Sequence, residues 1–425
     1  MAPLSSHPDE NALDVLVVGA GIGGLTAAIA LRRQGHRVTI YERSKFASEI
    51  GAGIHISPNC ARMLQLLGIS IEGLQSVPLT AMKRFTPAED VHDFVETKPV
   101  AGSPTVLAHR NTLHGALKEL ATATEGSGPP VEILLNARLV DLDVEKPSVT
   151  LSTGEEIGAD VILCADGVTS WARSFIAPGY KPKSYGMTCY RWLGPYQEMV
   201  SNPRTEKYTT TGRMHEWRGY NRKLVSYPLA DHKLLYYAAF VPNDRRGTSN
   251  LDWKKTGHKD ELLKAFERFG PGVQQILELA PEEKLMCWDL QDMEELPKWT
   301  QQYVALVGDA AHPLLPFLGQ GAAMAVEDGL SLGVVLSRGV KKSQVPDRLR
   351  LYEEFRKAHV RKIQDATRKY GWELDFRRGV GKTSTIAFLD EELMVVKRFF
   401  EGHNEWENSS KQLSSRSSAI REARL

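Results

Sequence analysis

One stretch of the sequence, residues 14–42, restricts the possible folds of this chain more than any other. An apolar run with the character of a buried strand leads directly into Gly19, Gly21 and Gly24, which have the spacing G-x-G-x-x-G. The small and apolar residues that follow favour a helix, and a second apolar run ends at an acidic residue, Glu42. A strand, a glycine turn, a helix, a strand and an acid in this order predict a dinucleotide-binding unit.

Each of these residue types has a physical reason to stand where it does. Gly19 lets the chain turn sharply off the strand, Gly21 lets a pyrophosphate approach the backbone N–H groups, and Gly24 lets the helix pack closely on the strand. The N-terminus of the helix favours the pyrophosphate charge, and Glu42 can accept hydrogen bonds from the ribose hydroxyls of an adenosine. We include the neighbouring Arg43 among the expected cofactor contacts. The alternative that the motif leaves open is a glycine-rich turn in an ordinary βαβ unit.

The composition excludes several classes of protein. With 425 residues, of which 42% are hydrophobic and 25% charged, the chain is long enough for two or three globular domains with a sizeable core. A net charge of +1 without a basic stripe argues against a nucleic-acid partner, and no apolar run approaches the ~18 residues of a membrane span. The cysteines are scattered without a Cys-x-x-Cys pair, so we expect neither a metal site nor a disulfide framework. These features predict a cytoplasmic protein, while loose membrane association stays open.

The character of the sequence changes along the chain and predicts an α/β protein with an inserted second sheet. Aromatic segments that alternate with polar residues indicate antiparallel strands, whereas the flanking parts contain buried apolar strands and helices. The C-terminal residues are rich in Ser and Arg, which predicts disorder. We expect the nucleotide-binding domain to comprise residues 1–78, 105–182 and 293–340, the substrate domain residues 79–104 and 183–292, the C-terminal helices residues 341–408, and the disordered tail residues 409–425.

Two later segments repeat the pattern of a buried strand that ends in a glycine and an acid. ADVILCADG ends at Asp166 and Gly167, and YVALVGD ends at Asp309, shortly before the sequence GQGAAMAVED. Together with residues 14–42, these motifs resemble those of the single-component FAD-dependent aromatic hydroxylases, the salicylate and para-hydroxybenzoate hydroxylase group, and most of all the fungal monooxygenases of that type. The resemblance covers roughly residues 15–366. It implies a Rossmann-like FAD-binding domain of the para-hydroxybenzoate hydroxylase type, an inserted antiparallel β-sheet substrate domain and C-terminal helices.

The resemblance assigns roles to the residues that match the family motifs. It implies that Asp309 hydrogen-bonds the ribityl chain of FAD, and that the backbone at Gly319, Gln320 and Gly321 begins a helix facing the N1 and O2 edge of the flavin. A helix N-terminus there would stabilise the negative charge of the reduced flavin. Arg110 matches the family arginine that reaches the FAD phosphates. Judged by residue type alone, Asp309 could instead cap a helix, and Arg110 could be a solvated surface charge.

Three further residues complete the expected cofactor site. By the same resemblance, Asp166 belongs to a motif shared between the FAD pyrophosphate and NAD(P)H, and Pro316 packs over the flavin. Gly53 lies in a loop that approaches the cofactor closely. The chain has no second G-x-G-x-x-G after a strand, which argues against a separate nicotinamide domain. The sequence GVGKTS that begins at Gly379 is not expected to be a P-loop, because the first glycine of that motif is missing and no strand precedes it.

The implied activity is the monooxygenation of an electron-rich, phenolic ring. NAD(P)H reduces FAD, the reduced flavin captures O2 as a C4a-hydroperoxide, and one oxygen atom passes to the ring. A phenolate reacts more readily than a phenol, so we take Arg191 as the candidate cation and Tyr227 as the candidate that orients the ring hydroxyl. Either residue could instead be structural, and for His215, a weaker candidate for proton relay, a structural role is preferred. His55 is a weak candidate for a covalent flavin link, and His312 is expected to be structural.

Two alternative functions stay open. A related monooxygenase could epoxidise an indole or an alkene, and a flavin-binding protein could lack oxygenase activity altogether. We expect a small aromatic substrate from fungal secondary metabolism, O2 as cosubstrate, no nucleic acid, and a monomer or homodimer. Beyond about residue 369 the chain departs from the closing segment that is usual in this family, so substrate class and oligomeric state are not predicted from it.

Overall fold

The computed structural model describes residues 12–45, 53–243, 255–372 and 393–422. The strands are β1 (Asp14–Val18), β2 (Arg37–Glu42), β3 (Gly53–Ile56), β4 (Val77–Pro78), β5 (Ala81–Phe85), β6 (Val91–Glu96), β7 (Val106–His109), β8 (Glu132–Leu135), β9 (Leu139–Asp143), β10 (Ser148–Leu151), β11 (Glu156–Gly158), β12 (Val161–Cys164), β13 (Lys183–Pro195), β14 (Arg213–Gly219), β15 (Arg222–Leu229), β16 (Leu234–Pro242), β17 (Lys255–Thr256), β18 (Met286–Asp292), β19 (Thr300–Gln301) and β20 (Val304–Leu306). The helices are α1 (Ile22–Arg33), α2 (Pro58–Leu66), α3 (Arg110–Thr122), α4 (Arg173–Ile176), α5 (Tyr196–Val200), α6 (Lys259–Ala265), α7 (Pro271–Glu278), α8 (Gly321–Val335), α9 (Val345–Trp372), α10 (393–401) and α11 (Glu405–Glu422).

A largely parallel sheet of six strands positions the three sequence motifs. Its order is β19-β20-β12-β1-β2-β8, and β19 is antiparallel to its neighbour. The central strands are buried along their whole length, as expected when helices cover both faces of a parallel sheet. Because β1, β12 and β20 are parallel neighbours, their carboxyl ends meet at one edge. The segments that follow these strands therefore lie side by side, where ligands bind in open α/β sheets.

Small residues let α1 and α8 pack unusually closely. A Cβ added to Gly329 would lie 2.7 Å from the backbone nitrogen of Ala27, and one added to Gly333 would lie 2.8 Å from the Cβ of Ala30. The alanine-rich and glycine-containing sequences of these helices thus have a packing reason. This contact fixes α8 against the nucleotide-binding motif at the start of α1.

The second large sheet has eight strands in the order β17-β18-β13-β16-β15-β14-β5-β6. All neighbours are antiparallel except β5 and β14, which are parallel. The parallel pair differs from the expected antiparallel arrangement because β5 and β6 come from a part of the chain far before β14, so a long connection replaces a hairpin. The two faces of this sheet bury different cores, and one of them packs on the region that follows β20.

Two small sheets complete the β-structure. The first has the strand order β3-β7-β4 and lies between the segments of the two large sheets. The second has the strand order β11-β10-β9. The expected α/β fold, with a Rossmann-like domain, an inserted sheet and C-terminal helices, is confirmed. Among the described residues, no helix is long and apolar enough to cross a membrane. The GVGKTS sequence lies outside the described residues.

The prediction of disorder beyond residue 409 is wrong as far as residue 422, because α11 is helical there. Ser409 contacts Ser331 of α8 at 2.8 Å between the hydroxyl oxygens, and Leu413 packs against the main core. Glu405, at the start of the helix, pairs with Arg356 of α9 at 2.8 Å. The polar composition of the tail hid these contacts, because its partners lie far away in the sequence.

Candidate active site

The glycine turn after β1 has the geometry that its sequence predicts. Gly19 has a φ of +96°, and a Cβ there would lie 2.6 Å from the carbonyl oxygen of Ala165. A Cβ on Gly24 would lie 2.1 Å from the carbonyl oxygen of Gly19, so both positions need glycine for the fold itself. Gly21 is the N-cap of α1, and the space that its Cβ would enter is open. Gly21, the middle glycine of the motif, therefore leaves room for a ligand at the N-terminus of α1.

An open cleft of about 420 Å³ begins at this turn, and Gly21, Glu42, Arg43 and Asp166 are among its lining residues. The Glu42 carboxylate accepts hydrogen bonds from the backbone N–H of Ala20 at 2.9 Å and of Ser44 at 2.7 Å. These bonds hold the carboxylate at the rim, and each oxygen keeps a lone pair for a ribose hydroxyl. The exposed side chain of Arg43 lies beside it.

Asp166, just after β12, also lines this cleft. Its Oδ2 accepts hydrogen bonds from the backbone N–H of Trp171 at 2.8 Å and of Ala172 at 3.2 Å. Its buried Oδ1 has no hydrogen-bond partner among the described residues. One acceptor thus stays available for a ligand that fills the cleft, which fits the expected cofactor role.

Arg173 joins two of the motifs and was missed by the sequence reasoning. Its guanidinium donates to the carbonyl oxygens of Ala310 at 2.8 Å, Asp309 at 3.0 Å and Val168 at 3.0 Å. The side chain is buried, so it acts as an internal clamp between the segments after β12 and β20. The signal was an arginine in the short helix directly after the Asp166–Gly167 motif.

Asp309 follows β20 in a short 3-10 helix, Gly308–Ala310. Asp309 is solvent-exposed, although many protein atoms surround its carboxylate. Limited solvation raises the pKa of Asp309 above its ordinary value, while the nearby charges of His312, Arg110 and Arg173 oppose that rise. Arg110 begins α3, and its charge acts on Asp309.

The segment before α8 presents the start of that helix to the same edge. Pro316 is exposed and begins a 3-10 helix that ends at Gly319, where φ is +62°. A Cβ on Gly319 would lie 2.6 Å from Nδ1 of His55, so this close approach also needs glycine. Gln320 is the buried N-cap of α8, with its side chain hydrogen-bonded to residues at the start of α2. Gly321 has open space at its Cβ position, so the first N–H groups of α8 are accessible to a ligand.

One face of the eight-stranded sheet is directed towards this helix start. Side chains alternate between the faces of a strand, which places Arg191, Tyr227 and Tyr236 on the same side. Phe317 packs against this face, with its ring centroid 5.7 Å from that of Phe240. The two predicted substrate residues are therefore brought together on the expected side of the sheet.

Gly53, in β3, lies directly against the two tyrosines. A Cβ there would be 2.5 Å from the hydroxyl oxygen of Tyr227 and 2.7 Å from Cγ of Tyr236. The tyrosine rings are 4.8 Å apart between centroids. The sequence placed Gly53 beside the cofactor, and the structure adds that it also forms one wall of the tyrosine pair. Tyr236 was not predicted, because nothing in its own segment distinguishes it from a core aromatic residue.

The three histidines considered from the sequence have different surroundings. His215 lies in an aromatic cluster with Phe85 and Trp217. Because side chains alternate between the faces of a strand, His215 lies on the face of the sheet opposite to Tyr227. Burial lowers the pKa of His215 to about 3. His312 contacts Asp328 at 2.7 Å and is buried. Burial also lowers the pKa of His55 to about 4.

These residues fit FAD. The cleft offers a helix N-terminus at Gly21 for a pyrophosphate and a fixed carboxylate at Glu42 for a ribose. Asp309 and the accessible start of α8 follow the nearby strand β20. The individual contacts of these residues with the cofactor stay predictions.

Comparison with known proteins also indicates an FAD-binding protein. The chain matches the family described as FAD binding domain over residues 12–367. Hispidin-3-hydroxylase of Neonothopanus nambi is 36% identical over 365 residues, which cover 82% of this chain and 86% of that protein. The FAD-dependent monooxygenase cfoG of Aspergillus candidus is 33% identical over 367 residues, covering 83% and 84%. A solved salicylate hydroxylase substrate complex has the same fold, with a TM-score of 0.77 at 21% identity over 94% of this chain and 98% of that one.

The relatives favour neither the epoxidase nor the non-catalytic flavoprotein that the sequence left open. The family match covers far more than half of the chain, and the two relatives exceed 30% identity over most of their length. The chain therefore belongs to the FAD binding domain family, and it is an FAD-dependent monooxygenase of the aromatic-hydroxylase type with NAD(P)H as its cosubstrate.

Proposed function

We propose that this enzyme hydroxylates a phenol that binds as the phenolate against the face of the sheet that carries Arg191. The observation that supports this proposal is the convergence of one cation and two tyrosines next to Gly53. Relatives named for hispidin and for 3-hydroxybenzoate also favour a phenolic substrate. O2 is the source of the transferred oxygen, and we place the reaction in fungal secondary metabolism.

Arg191 is held in a rigid position. The central carbon of its guanidinium lies 3.2 Å from the centroid of the Trp288 ring. It also hydrogen-bonds Tyr236, which opposes the rise in the pKa of that tyrosine caused by burial. A stacked guanidinium keeps its charge and presents N–H donors in its plane, so it can bind a phenolate oxygen without first being ordered.

The two tyrosines act as neutral groups. Burial raises the pKa of Tyr227 and of Tyr236 well above that of free tyrosine, so both hydroxyls keep their protons at neutral pH. A neutral hydroxyl can donate a hydrogen bond to a substrate oxygen or accept one from a substrate hydroxyl. Their role in this proposal is to orient the ring, while Arg191 stabilises its negative charge.

The bound flavin supplies the redox chemistry, taking electrons from NAD(P)H and passing oxygen to the ring. The chain contributes position and electrostatics. The start of α8 supplies N–H groups that stabilise negative charge, and Asp309 holds the cofactor in place. The buried aromatic layer around Phe240 and Phe317 keeps water away from the reacting ring.

A test uses matched pairs of substrates. Each phenol in a panel is paired with its methyl ether, which has a similar size and cannot form a phenolate. We expect phenols to stimulate NADPH oxidation by the FAD-loaded enzyme and to gain the mass of one oxygen atom, whereas the ethers give neither. Equal turnover of ethers, or oxygen addition to an isolated alkene or an indole, would contradict the proposal and support epoxidation.

We also propose a cytoplasmic location and a monomeric or homodimeric state. The four cysteines are free thiols in the structure, which is typical of a reducing compartment. Light scattering after size-exclusion chromatography measures the mass in solution, to be compared with the 47.3 kDa of one chain. Fractionation of cells that produce the protein tests its location.

A further inference from the structure

A buried ionic cluster joins three helices behind the start of α8. Arg356 of α9 contacts Glu327 at 2.8 Å, Asp328 at 2.9 Å and Glu405 at 2.8 Å. The first two acids belong to α8 and the third begins α11. All four side chains are fully buried. The cluster lies at the middle of α8, whereas the proposed phenol site lies at the start of that helix.

Each of the three carboxylates also has its own histidine. His359 lies 3.3 Å from Glu327, His312 lies 2.7 Å from Asp328, and His403 lies 2.7 Å from Glu405. Three carboxylates and one guanidinium leave a formal charge of −2 before the histidines are counted. Isolated negative charge is costly inside a protein, so a cation at this place would be stabilised.

Arg62 is a further charge near the cluster. Its guanidinium donates to the carbonyl oxygens of Val100, at 2.9 Å, and of His403, at 2.9 Å. It also donates to the carbonyl oxygen of Glu401, at 2.5 Å. These bonds fix the loop that carries His403. They leave Arg62 in contact with backbone oxygens, so it does not replace a cation at the carboxylates.

Glu327, His359 and His403 form the part of the cluster that could bind a metal. Each offers one ligand atom, and the three atoms lie within 4.8 Å of one another. The two imidazole rings are stacked with centroids 3.9 Å apart. Oε2 of Glu327 and Nε2 of His359 are buried and face each other at 3.3 Å. Oε2 also lies 2.8 Å from a guanidinium nitrogen of Arg356, and neither contact has the geometry of a hydrogen bond.

The other contacts of these residues are compatible with a metal. Arg356 makes well-aligned hydrogen bonds to Asp328 and Glu405, so Oε2 of Glu327 can turn away from it without leaving the arginine unpaired. Oε1 of Glu327 accepts a hydrogen bond from Asn59 at 2.8 Å, which holds the carboxylate. Glu405 binds one ring nitrogen of His403, the kind of carboxylate contact that orients metal-binding histidines.

We propose that Glu327, His359 and His403 bind a divalent transition-metal ion, with zinc as the best match, and that this ion fastens α11 to α8 and α9. Two imidazoles and one carboxylate are a common ligand set for zinc. Tetrahedral ligands of zinc stand roughly 3.4 Å apart, so on binding the three atoms move inward from separations of up to 4.8 Å, and the stacked imidazole rings turn so that one nitrogen of each points at the ion. A water molecule would complete the coordination. The role is structural, because the site lies within the helical layer.

The test measures binding of Zn²⁺ to the FAD-loaded protein after treatment with a chelator. Calorimetry should show one equivalent per chain, and the unfolding temperature should rise. His359→Gln and His403→Gln should each weaken binding by about 100-fold or more. His92→Gln removes an exposed histidine of β6 and is the matched control, which should bind Zn²⁺ as the unaltered protein does. The FAD content of each variant reports whether it has folded.

A second measurement needs no variant. Co²⁺ added to the unaltered protein should give the visible absorption of four-coordinate cobalt, and one equivalent of Zn²⁺ should abolish it. Absence of this spectrum together with no stoichiometric Zn²⁺ binding would overturn the proposal. Zinc binding that survives both substitutions would also overturn it, because the ion would then be held elsewhere.

Discussion

The replacement of Arg191 by glutamine tests the phenolate proposal most sharply. Glutamine keeps hydrogen-bonding groups and part of the side-chain volume while it removes the charge. The matched control is Arg268→Gln, because Arg268 is also stacked on an aromatic ring, 3.8 Å from the centroid of Tyr220, but is exposed on the surface. The control should retain full coupled turnover.

The expected magnitude follows from the charge. At a separation of 4–5 Å and an effective dielectric constant of about 20, a cation stabilises an anion by about 4 kcal/mol. Partial exposure of Arg191 reduces this figure, and about 2.7 kcal/mol suffices to lower a phenol pKa from about 10 to about 8. At pH 7 the phenolate fraction of the bound substrate then falls roughly 90-fold when the cation is removed.

The pH dependence identifies the cause of the loss. Phenolate forms as the pH rises through the phenol pKa, so turnover should level off above about pH 8 in the unaltered enzyme and above about pH 10 in the variant. The difference should therefore shrink to roughly 4-fold at pH 9.5. The assay is NADPH oxidation in parallel with product formation and hydrogen peroxide release. A loss of the same size at every pH would refute the reasoning and assign Arg191 to binding or packing.

Other substitutions probe the cofactor site and the core. Gly53→Ala should cost about 1–3 kcal/mol of stability and most of the coupled turnover, because its Cβ would meet Tyr227, whereas Gly115→Ala in α3, which has open space, should not destabilise the protein in thermal unfolding. Gly21→Ala should leave a folded protein with little bound FAD, because the added methyl group enters the cleft. Gly24→Ala should lower both the flavin absorbance and the unfolding temperature, because its Cβ would lie 2.1 Å from the carbonyl oxygen of Gly19. Asp328→Asn should cost about 3–5 kcal/mol in urea unfolding, since it weakens a buried charge network. The pKa values of Glu327 and Asp328 are lowered in the folded protein, so their contribution to the free energy of unfolding is complete above the ordinary carboxyl range, near pH 4. Acid-unfolding curves should show this contribution being lost as the pH falls below that range.

The parts of the site that depend on local backbone geometry could be predicted from the sequence. Gly19 and Gly319 need glycine for a positive φ, and the carbonyl oxygen of Gly19 leaves no room for a side chain at Gly24. The strand that carries Arg191 could be recognised from its alternation, which also set the face of the sheet on which it lies. These features are encoded within a few residues of the position that they determine.

The rest depends on contacts between distant segments. Tyr236 is distinguished from other buried tyrosines only by Gly53 and Arg191, which lie on other strands. The helix α11 was mistaken for a disordered tail because its partners belong to α8 and α9. A signal for the ionic cluster was present, since Glu327 and Asp328 interrupt an otherwise apolar and small-residue sequence. What they pair with could not be read from that sequence.

The burial of α8 on all sides has a mechanical consequence. A slip of this helix by one residue would turn it by about 100° about its own axis. The ion pair of Asp328 with Arg356 and the close packing of Gly329 and Gly333 on α1 set this rotation, and they thereby aim the N–H groups at Gly321. The reduction potential of the flavin is therefore expected to respond to substitutions at Glu405, a residue that does not line the cofactor cleft and that reaches α8 through Arg356 and through Ser409.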